Sequence, residues 1–568
     1  MQLLELDSTD ENPVIKSSVR GVTAITTTPS RPPTTASSVR SGISGFNSPQ
    51  SSLHSTSTSD NALVRVSTPN GPGGTSDNVK ILYPFRIKHL GSETYTLYAN
   101  GPEDRQLWCN KIIEAKTKYA ASQFKQGKEP FTLRVIADAA FAHDASTEHH
   151  KTVLIKGTSL RRAVDDVERQ YADYDKPKPI CRAKVNCATT FVQADKRQKT
   201  LIGTDYGVYL CETGSARDWA RVLILEAVTQ IAVLQEFNLL LLIANRALIA
   251  YHLDVVCPVN GERRSANSFQ KAPQRVSGQK DVGFFTIGKL KDRTLIFYEQ
   301  KEGLRSSMVK MIEPVLQRTS TAELKSFSLD PRLRPDNFYA ITETFRVYDE
   351  FRLESECSHL SIFTSSIAVA AASDFKILNL DKKSPYTIPD PSAPHTTTMA
   401  ERLKGLTPLG MFRLVSDPAT TAGAAMSQFS SSTNSYTSPN GIDTTATEFI
   451  LVYEQCAVFV NKYGEISRSV HMEFLGKAKA ATLVAGMLVL VDSDFVEVRD
   501  AQNGKLRQIV AGRDVRCLDD GRDESGSQLR GGGSGAPGAG KRTVKIAMQH
   551  PEQERYQIVI ELVPNLMN

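Results

Sequence analysis

From residue 184 onward the chain repeats one pattern: four or five apolar residues, a small polar turn, then four or five more apolar residues. It occurs in TLIGTDYGVYLCE (200–212), LLLLIANRALIAYHLD (239–254) and FTIGKLKDRTLIFYEQ (285–300). It recurs in FYAITETFRVYDEF (338–351), IAVAAASDFKILNLD (367–381), FILVYEQCAVFVNKYG (449–464) and MLVLVDSDFVEVRD (487–500). Short apolar runs around tight turns predict hairpins, with turns near 206, 246, 292, 344, 374, 455 and 494. Once the low-complexity stretch 416–447 is set aside, the units recur every ~40–50 residues, the period of a β-propeller blade. Seven hairpins predict seven blades, with Leu201, Leu241, Ile243, Val369, Val452 and Leu488 packed on the inward strands. A final strand pair, RTVKIAMQ (542–549) and RYQIVIELV (555–563), is expected to pair with AKVNCATTFV (183–192) and close the ring, removing the exposed edges of an open sheet.

Before the propeller the pattern differs. ILYPFRIKHLGSETYTLYAN reads as two strands meeting at Gly91-Ser92. A helix follows, opening on Pro102 and two acids, with Leu107, Trp108, Ile112 and Ala115 as its apolar stripe. A second amphipathic helix lies in TSLRRAVDDVERQYADY, with Leu160, Val164, Val167 and Tyr171 on one face. Residues 20–79, 416–447 and 519–541 are rich in Ser, Thr, Pro and Gly. They offer too little apolar surface to offset the entropy of ordering, so they are expected to be disordered insertions.

Composition narrows the function. A net charge of +6 over 568 residues is mild, and no basic helix with interleaved aromatics points to nucleic acid. The eight cysteines form no CxxC pair, so they predict small buried hydrophobes in a reducing compartment and no metal or disulfide framework. No apolar run approaches the ~18 residues of a membrane span, and the N-terminus lacks a signal-peptide pattern. A cytoplasmic protein is expected.

Motifs for catalysis are weak. GAPGAGKRT (535–543) matches a phosphate loop at Gly535, Gly540 and Lys541, but Arg542 stands where a hydroxyl must meet the metal, and a strand follows where a helix belongs. His149 and His150, beside Asp144 and Glu148, read as a solvated turn because adjacent side chains point apart and no matching ligand cluster occurs. No cofactor and no enzymatic activity are expected. Six Ser-Pro or Thr-Pro pairs, at Thr28, Ser48, Thr68, Ser384, Thr407 and Ser438, have the form of proline-directed phosphorylation sites, most in tracts where such pairs are common. The segment 258–280 carries Arg263, Arg264, Lys271, Arg275 and Lys280 against the single acid Glu262. It is the candidate partner-binding surface, suited to an acidic protein or an anionic lipid headgroup, with a solvated loop as the bland alternative.

Some of these residues resemble a known family. KTLIGTDYGVYLCE is similar to the opening blade of the citron homology (CNH) domain, and KDVGFFTIGKLKDRTLIFYEQKEG (280–303) to a later stretch of the same domain in fungal proteins. PEDRQLWCNKIIEA, with Trp108 inside it, resembles the closing helix of a pleckstrin homology (PH) domain. EPFTLRVIADAAFAHD (129–144) and SLRRAVDDVERQYADYDKPKP resemble the connector between the two in fungal Rho guanine-nucleotide exchange factors. The resemblance implies a truncated PH-like domain over 1–124, a helical connector over 125–182 and a CNH propeller over 183–565. The fold is then mainly β, a seven-bladed propeller preceded by a partial strand/helix unit. It also implies a non-catalytic regulatory module of a Rho-type exchange factor in cell-wall integrity signalling. Its partner would be a Rho-type small GTPase or the factor's own catalytic module, with peripheral recruitment to the plasma membrane or sites of polarised growth. The Dbl homology module that does the exchange chemistry has no counterpart here, and the pleckstrin unit reads as LLELD, the two strands and the helix alone. The chain is therefore expected to be a fragment or a late-starting reading frame, and no lipid-binding residue carries over. The rival readings are a CNH scaffold of a vesicle-tethering or Ste20-like kinase protein and, from another class, a propeller enzyme. The latter would need convergent acids or histidines at its channel, and the seven turns show no such recurring set.

Overall fold

The computed structural model describes residues 4–8, 14–19, 22–27, 80–89, 93–122, 129–143, 154–174, 178–193, 196–258, 272–290, 293–303, 306–315, 344–363, 365–379, 385–389, 396–414, 448–521 and 543–565. They fall into two compact units, Met1–Ile112 and Ile113–Asn568.

The first unit is a five-stranded antiparallel sheet followed by a helix. Lys80–His89 is its spine: Leu4–Ser8 and Val14–Val19 share one edge of it and Glu93–Ala99 takes the other. Val22–Thr27 pairs with Val14–Val19, so ordered structure extends into the tract expected to be disordered from residue 20, and the sheet has more strands than the sequence reading allowed. VTAITT is short and Thr-rich. Thr weighs toward disorder in a composition count, yet its branched Cβ suits a pleated strand. The helix Pro102–Ser122 forms where expected, but its predicted stripe does not. Leu107 and Trp108 are each 57% exposed, whereas Cys109, Thr117 and Ala120 are buried. Trp108 instead stacks on the buried Phe85, with ring centroids 6.5 Å apart.

The second unit is the propeller: seven four-stranded antiparallel sheets, with the first strands of neighbouring blades facing one another around the axis. Blade one comprises Val185–Val192, Gln198–Thr204, Gly207–Glu212 and Ala220–Leu223. Blade two comprises Val228–Leu234, Leu239–Ala244, Ala247–His252 and Gln274–Arg275. Blade three runs through Val282–Leu290, Arg293–Lys301, Ser307–Pro314 and Phe345–Leu353, and blade four through His359–Ile362, Ser366–Ala370, Phe375–Asn379 and Pro385–Ile388. Blade five holds Pro408–Leu414, Glu448–Tyr453, Cys456–Asn461 and Met472–Glu473, and blade six Ala480–Val484, Met487–Val491, Phe495–Asp500 and Leu506–Ala511.

Blade seven corrects the expected closure. Its strands are Arg516–Asp519, Val544–Gln549, Tyr556–Pro564 and, outermost, Phe131–Ala142. The C-terminal strand pairs with this early segment, from Tyr556↔Ala142 to Pro564↔Phe131. Val185–Val192 does not close the ring, because it is the inner strand of blade one. The stretch 125–182, expected as a helical connector, thus supplies a propeller strand as well as the helix Ser159–Gln170. The first arm of the hairpin expected at 338–351 lies outside the described residues, and its second half falls in Phe345–Leu353, the outer strand of blade three. The count of seven stands because the C-terminal pair supplies the blade that this segment does not.

The cores follow the apolar runs, and Leu239–Ala244 is buried at every position. Leu201, Leu241, Val369, Val452 and Leu488 are 0% exposed and Ile243 1%, as expected of inward positions. Burying each such side chain stabilises the fold by about 1.5–3 kcal/mol. Seven of the eight cysteines are buried, and Cys517 is half-buried. In the helix Ser159–Gln170, Thr158 caps the N-terminus by accepting the Arg161 N–H. Leu160, Ala163, Val164 and Val167 are buried against Phe131, Leu133 and the strands of blades six and seven.

Glutamine amides join the blades by imitating a peptide group. Gln557 accepts from the Val185 N–H (3.0 Å) and donates to the Ala183 carbonyl (2.9 Å). Gln508 does the same to both backbone groups of Phe131, and Gln230 to those of Phe285. The closing strand carries a bulge where Ala139 takes a positive φ of 55°. There the Asp138 N–H donates to Ala216 of blade one. A bulge re-aims a side chain, and Asp138 meets Arg217 and His550.

Candidate functional site

The proposed partner-binding residues do not form one described cluster. Arg263, Arg264 and Lys271 lie outside the described residues. Lys280 belongs to the connection into blade three and is paired with Glu302 at 2.9 Å. Arg275 ends blade two's outer strand opposite Ile249, is exposed, and makes no ion pair among the described residues. Lys541 and the His149/His150 pair also lie outside the described residues, and a strand begins at Val544, directly after the glycine-rich run. Of the six Ser/Thr-Pro pairs only Thr407-Pro408 is described, and there Pro408 is buried as the first residue of a strand.

Arg275 stands in a trough between blades one and two, a cavity of about 640 Å³ lined by Asp205, Tyr206, Arg221, Ile224, Glu226 and Asn245, among others. Three backbone segments build it. The first is blade one's Asp205-Tyr206 turn, where the Thr204 hydroxyl accepts the Tyr206 N–H. Gly207 follows at φ 132°, and a Cβ there would lie 2.1 Å from the Leu223 carbonyl oxygen, so this close approach requires glycine. The second is the inter-blade connection 224–227. The third is blade two's Asn245-Arg246 turn, whose φ values of 45° and 60° suit the two-residue hairpin loop. Backbone bonds pin them together: the Ala227 N–H donates to Asp205 (3.1 Å) and the Asn245 N–H to Glu226 (3.0 Å).

The floor of the trough is apolar and its rim is charged. Leu223 and Leu225 turn inward against the core shared by the two blades, which leaves Ile224 between them 78% exposed. Tyr206 is 58% exposed at its turn. Arg221 lies beside the Tyr209 phenol, which burial pushes up to about 12. The Asp205 carboxylate accepts the Asn186 amide at 2.8 Å. Chemically the arrangement offers two exposed apolar side chains on a pinned backbone, beside a guanidinium, Arg275, that makes no ion pair among the described residues. Sequence reading reached Arg275 but missed Tyr206, Arg221 and Ile224. Tyr206 at the tip of GTDYG carried a signal, since a turn faces solvent; Ile224 within RVLILEAV carried none, since an apolar run reads as core.

The axial cavity is smaller, about 380 Å³, and is lined by Asn186, Gln230, Phe285, His359, Cys517 and Asp519, among others. Its polar groups serve the ring: Gln230 bonds Phe285, and Asp519 takes the Lys545 ammonium at 2.6 Å. Among the described residues no group of three or more His, Cys, Asp or Glu could hold a metal. Nor is any described helix long and apolar enough to cross a membrane.

Comparison with known proteins finds similar sequences. A family model described as the CNH domain matches residues 196–521. The chain is 28% identical over 467 residues to Rho1 guanine nucleotide exchange factor 3 of Schizosaccharomyces pombe, covering 77% of this chain and 32% of that protein. It is 24% identical over 351 residues to Rho1 guanine nucleotide exchange factor 1 of the same yeast, covering 60% of this chain and 22% of the relative. It thus spans about a third or less of the length of these curated relatives. Among solved structures, the AfRom2 CNH domain superposes with a TM-score of 0.47 at 21% identity, over 68% of this chain and 96% of that one.

Proposed function

The chain belongs to the CNH domain family, and on that premise we propose that it is the non-catalytic regulatory part of a Rho-type guanine-nucleotide exchange factor. The observation that carries the reading is the alignment of most of this chain with proteins named as Rho1 exchange factors. The propeller acts by binding protein: either the Rho-type GTPase, which it brings to the catalytic module, or that module itself. It does no exchange chemistry, since the reaction belongs to a helical module for which a β-propeller has no substitute. The basic segment with Arg263, Arg264, Lys271, Arg275 and Lys280 assists the encounter through charge. Signalling to the cell wall, and recruitment to the plasma membrane or sites of polarised growth, follow from that partnership.

Two measurements test this. In a fluorescent-GDP release assay the chain alone leaves the rate for a Rho-type GTPase unchanged, and in biolayer interferometry it binds the GTPase or the separately expressed catalytic module. Acceleration of release by the chain alone, or no binding to either protein, would overturn the reading.

A further inference from the structure

We propose that the trough between blades one and two is the surface on which the Rho-type GTPase sits, an inference that rests on the reading above. The contact is an apolar side chain laid on Ile224 and Tyr206, with a carboxylate beside it brought to Arg275.

Single exposed apolar residues are ordinary on a protein surface. This trough differs in three respects. Ile224 and Tyr206, 78% and 58% exposed, share one concavity of about 640 Å³. The backbone beneath them is held in advance: Ala227, Asn245 and Arg246 all take left-handed conformations, and the Ala227–Asp205 and Asn245–Glu226 bonds fasten the two turns to the connection between the blades. A partner therefore meets a surface that needs little further ordering, which removes one of the main costs of association. Third, the charges are unequally committed. Asp205 already accepts the Asn186 amide, whereas Arg275 makes no ion pair among the described residues. A guanidinium with no ion pair among the described residues, beside an exposed aromatic and an aliphatic, is the composition of an interface anchor, where Tyr and Arg are enriched. Its complement is an apolar side chain with an adjacent carboxylate.

The test uses the full chain in biolayer interferometry against the GTPase loaded with GDP or a GTP analogue. Ile224→Asp, Tyr206→Ala and Arg275→Glu alter exposed side chains, so their melting temperatures should match the parent chain. Each is expected to weaken binding by about tenfold or more, mainly through faster dissociation. Val470→Asp, at a 70% exposed position after blade five's third strand, should leave it unchanged. An Asp→Lys or Glu→Lys change on the GTPase that restores binding to the Arg275→Glu chain would identify the carboxylate. If the parent chain binds and the three trough variants bind equally well, the trough is not the seat, while the functional reading stands. If the parent chain does not bind the GTPase at all, this surface assignment falls with the GTPase half of that reading.

Discussion

His550 Nε2 lies 2.9 Å from Asp138 Oδ1, and the two side chains are 3% and 5% exposed although 412 positions separate them in sequence. Asp138 sits on the strand that closes the ring, and His550 on the turn of blade seven that this strand covers. The other carboxylate oxygen takes two N–H groups from Arg217 of blade one, each at 3.0 Å. The guanidinium lies 4.5 Å over the Tyr171 ring, after the helix Ser159–Gln170. One carboxylate therefore links the first blade, the last blade and the closing strand.

Removing that carboxylate should leave a buried guanidinium unpaired. Asp138→Ala is expected to cost about 3–5 kcal/mol, the usual penalty for breaking a buried ion pair from one side. Thermal or urea unfolding checks it, and a loss under about 1 kcal/mol would mean that the glutamine joints alone hold the ring. Burial by itself would raise the Asp138 pKa, but the hydrogen bond and charge of His550, then those of Arg217, outweigh it and hold the value below the ordinary one. The folded value is depressed, so this contribution is present above the unfolded value of ~3.9 and is lost as pH falls through the folded value. The difference in stability between the parent chain and Asp138→Ala should shrink only in strong acid.

Asp492 behaves in the opposite sense. Burial pushes its carboxyl up to about 6, even though it accepts the Asp494 and Lys477 N–H groups at 3.0 and 2.8 Å. A raised folded value means stability fully present below the unfolded value and lost as pH rises through about 6. Melting temperatures at pH 5 and pH 7 should therefore differ more in the parent chain than in Asp492→Asn, with the parent gaining at pH 5. An equal pH response in both would show that this carboxyl stays ionised across the window.

Deleting residues 129–143 should abolish soluble expression. Tyr556–Pro564 would then present a long, apolar, unpaired edge, the feature that templates aggregation. Recovery of a monomer with an intact far-ultraviolet spectrum would show that six full blades and a three-stranded seventh suffice.

The basic insertion makes a kinetic prediction. Changing Arg263, Arg264 and Lys271 together to Glu should slow association with the partner and reduce its salt dependence, without altering the fold. Exposed charges steer the encounter and are screened beyond ~8 Å at physiological ionic strength. Interferometry at two salt concentrations measures this, and unchanged association at both would make the segment a solvated loop.

What the sequence determined by itself is whatever is local. Apolar runs on either side of a tight turn specify a hairpin wherever they occur, so LLLLIANRALIAYH and MLVLVDSDFVEVRD were legible as blades, and Leu241 and Leu488 as their cores. The steady period then made the fold a propeller. Only the tertiary structure decided what depends on distant partners. Phe131–Ala142 ends in a run, IADAAFA, with no clean alternation, because a bulge at Asp138 and Ala139 breaks the pleat. Nothing near it in sequence says that its partner is the C-terminal strand. In blade three the turn near 292 joins the first and second strands, whereas near 206, 246, 374, 455 and 494 it joins the second and third. Both are hairpins, and local pattern cannot tell which pair is meant. The trough was hidden for the same reason: Leu223, Ile224 and Leu225 are equally apolar, and only the pinning of one blade's connection onto the next blade's turn leaves the middle one facing water.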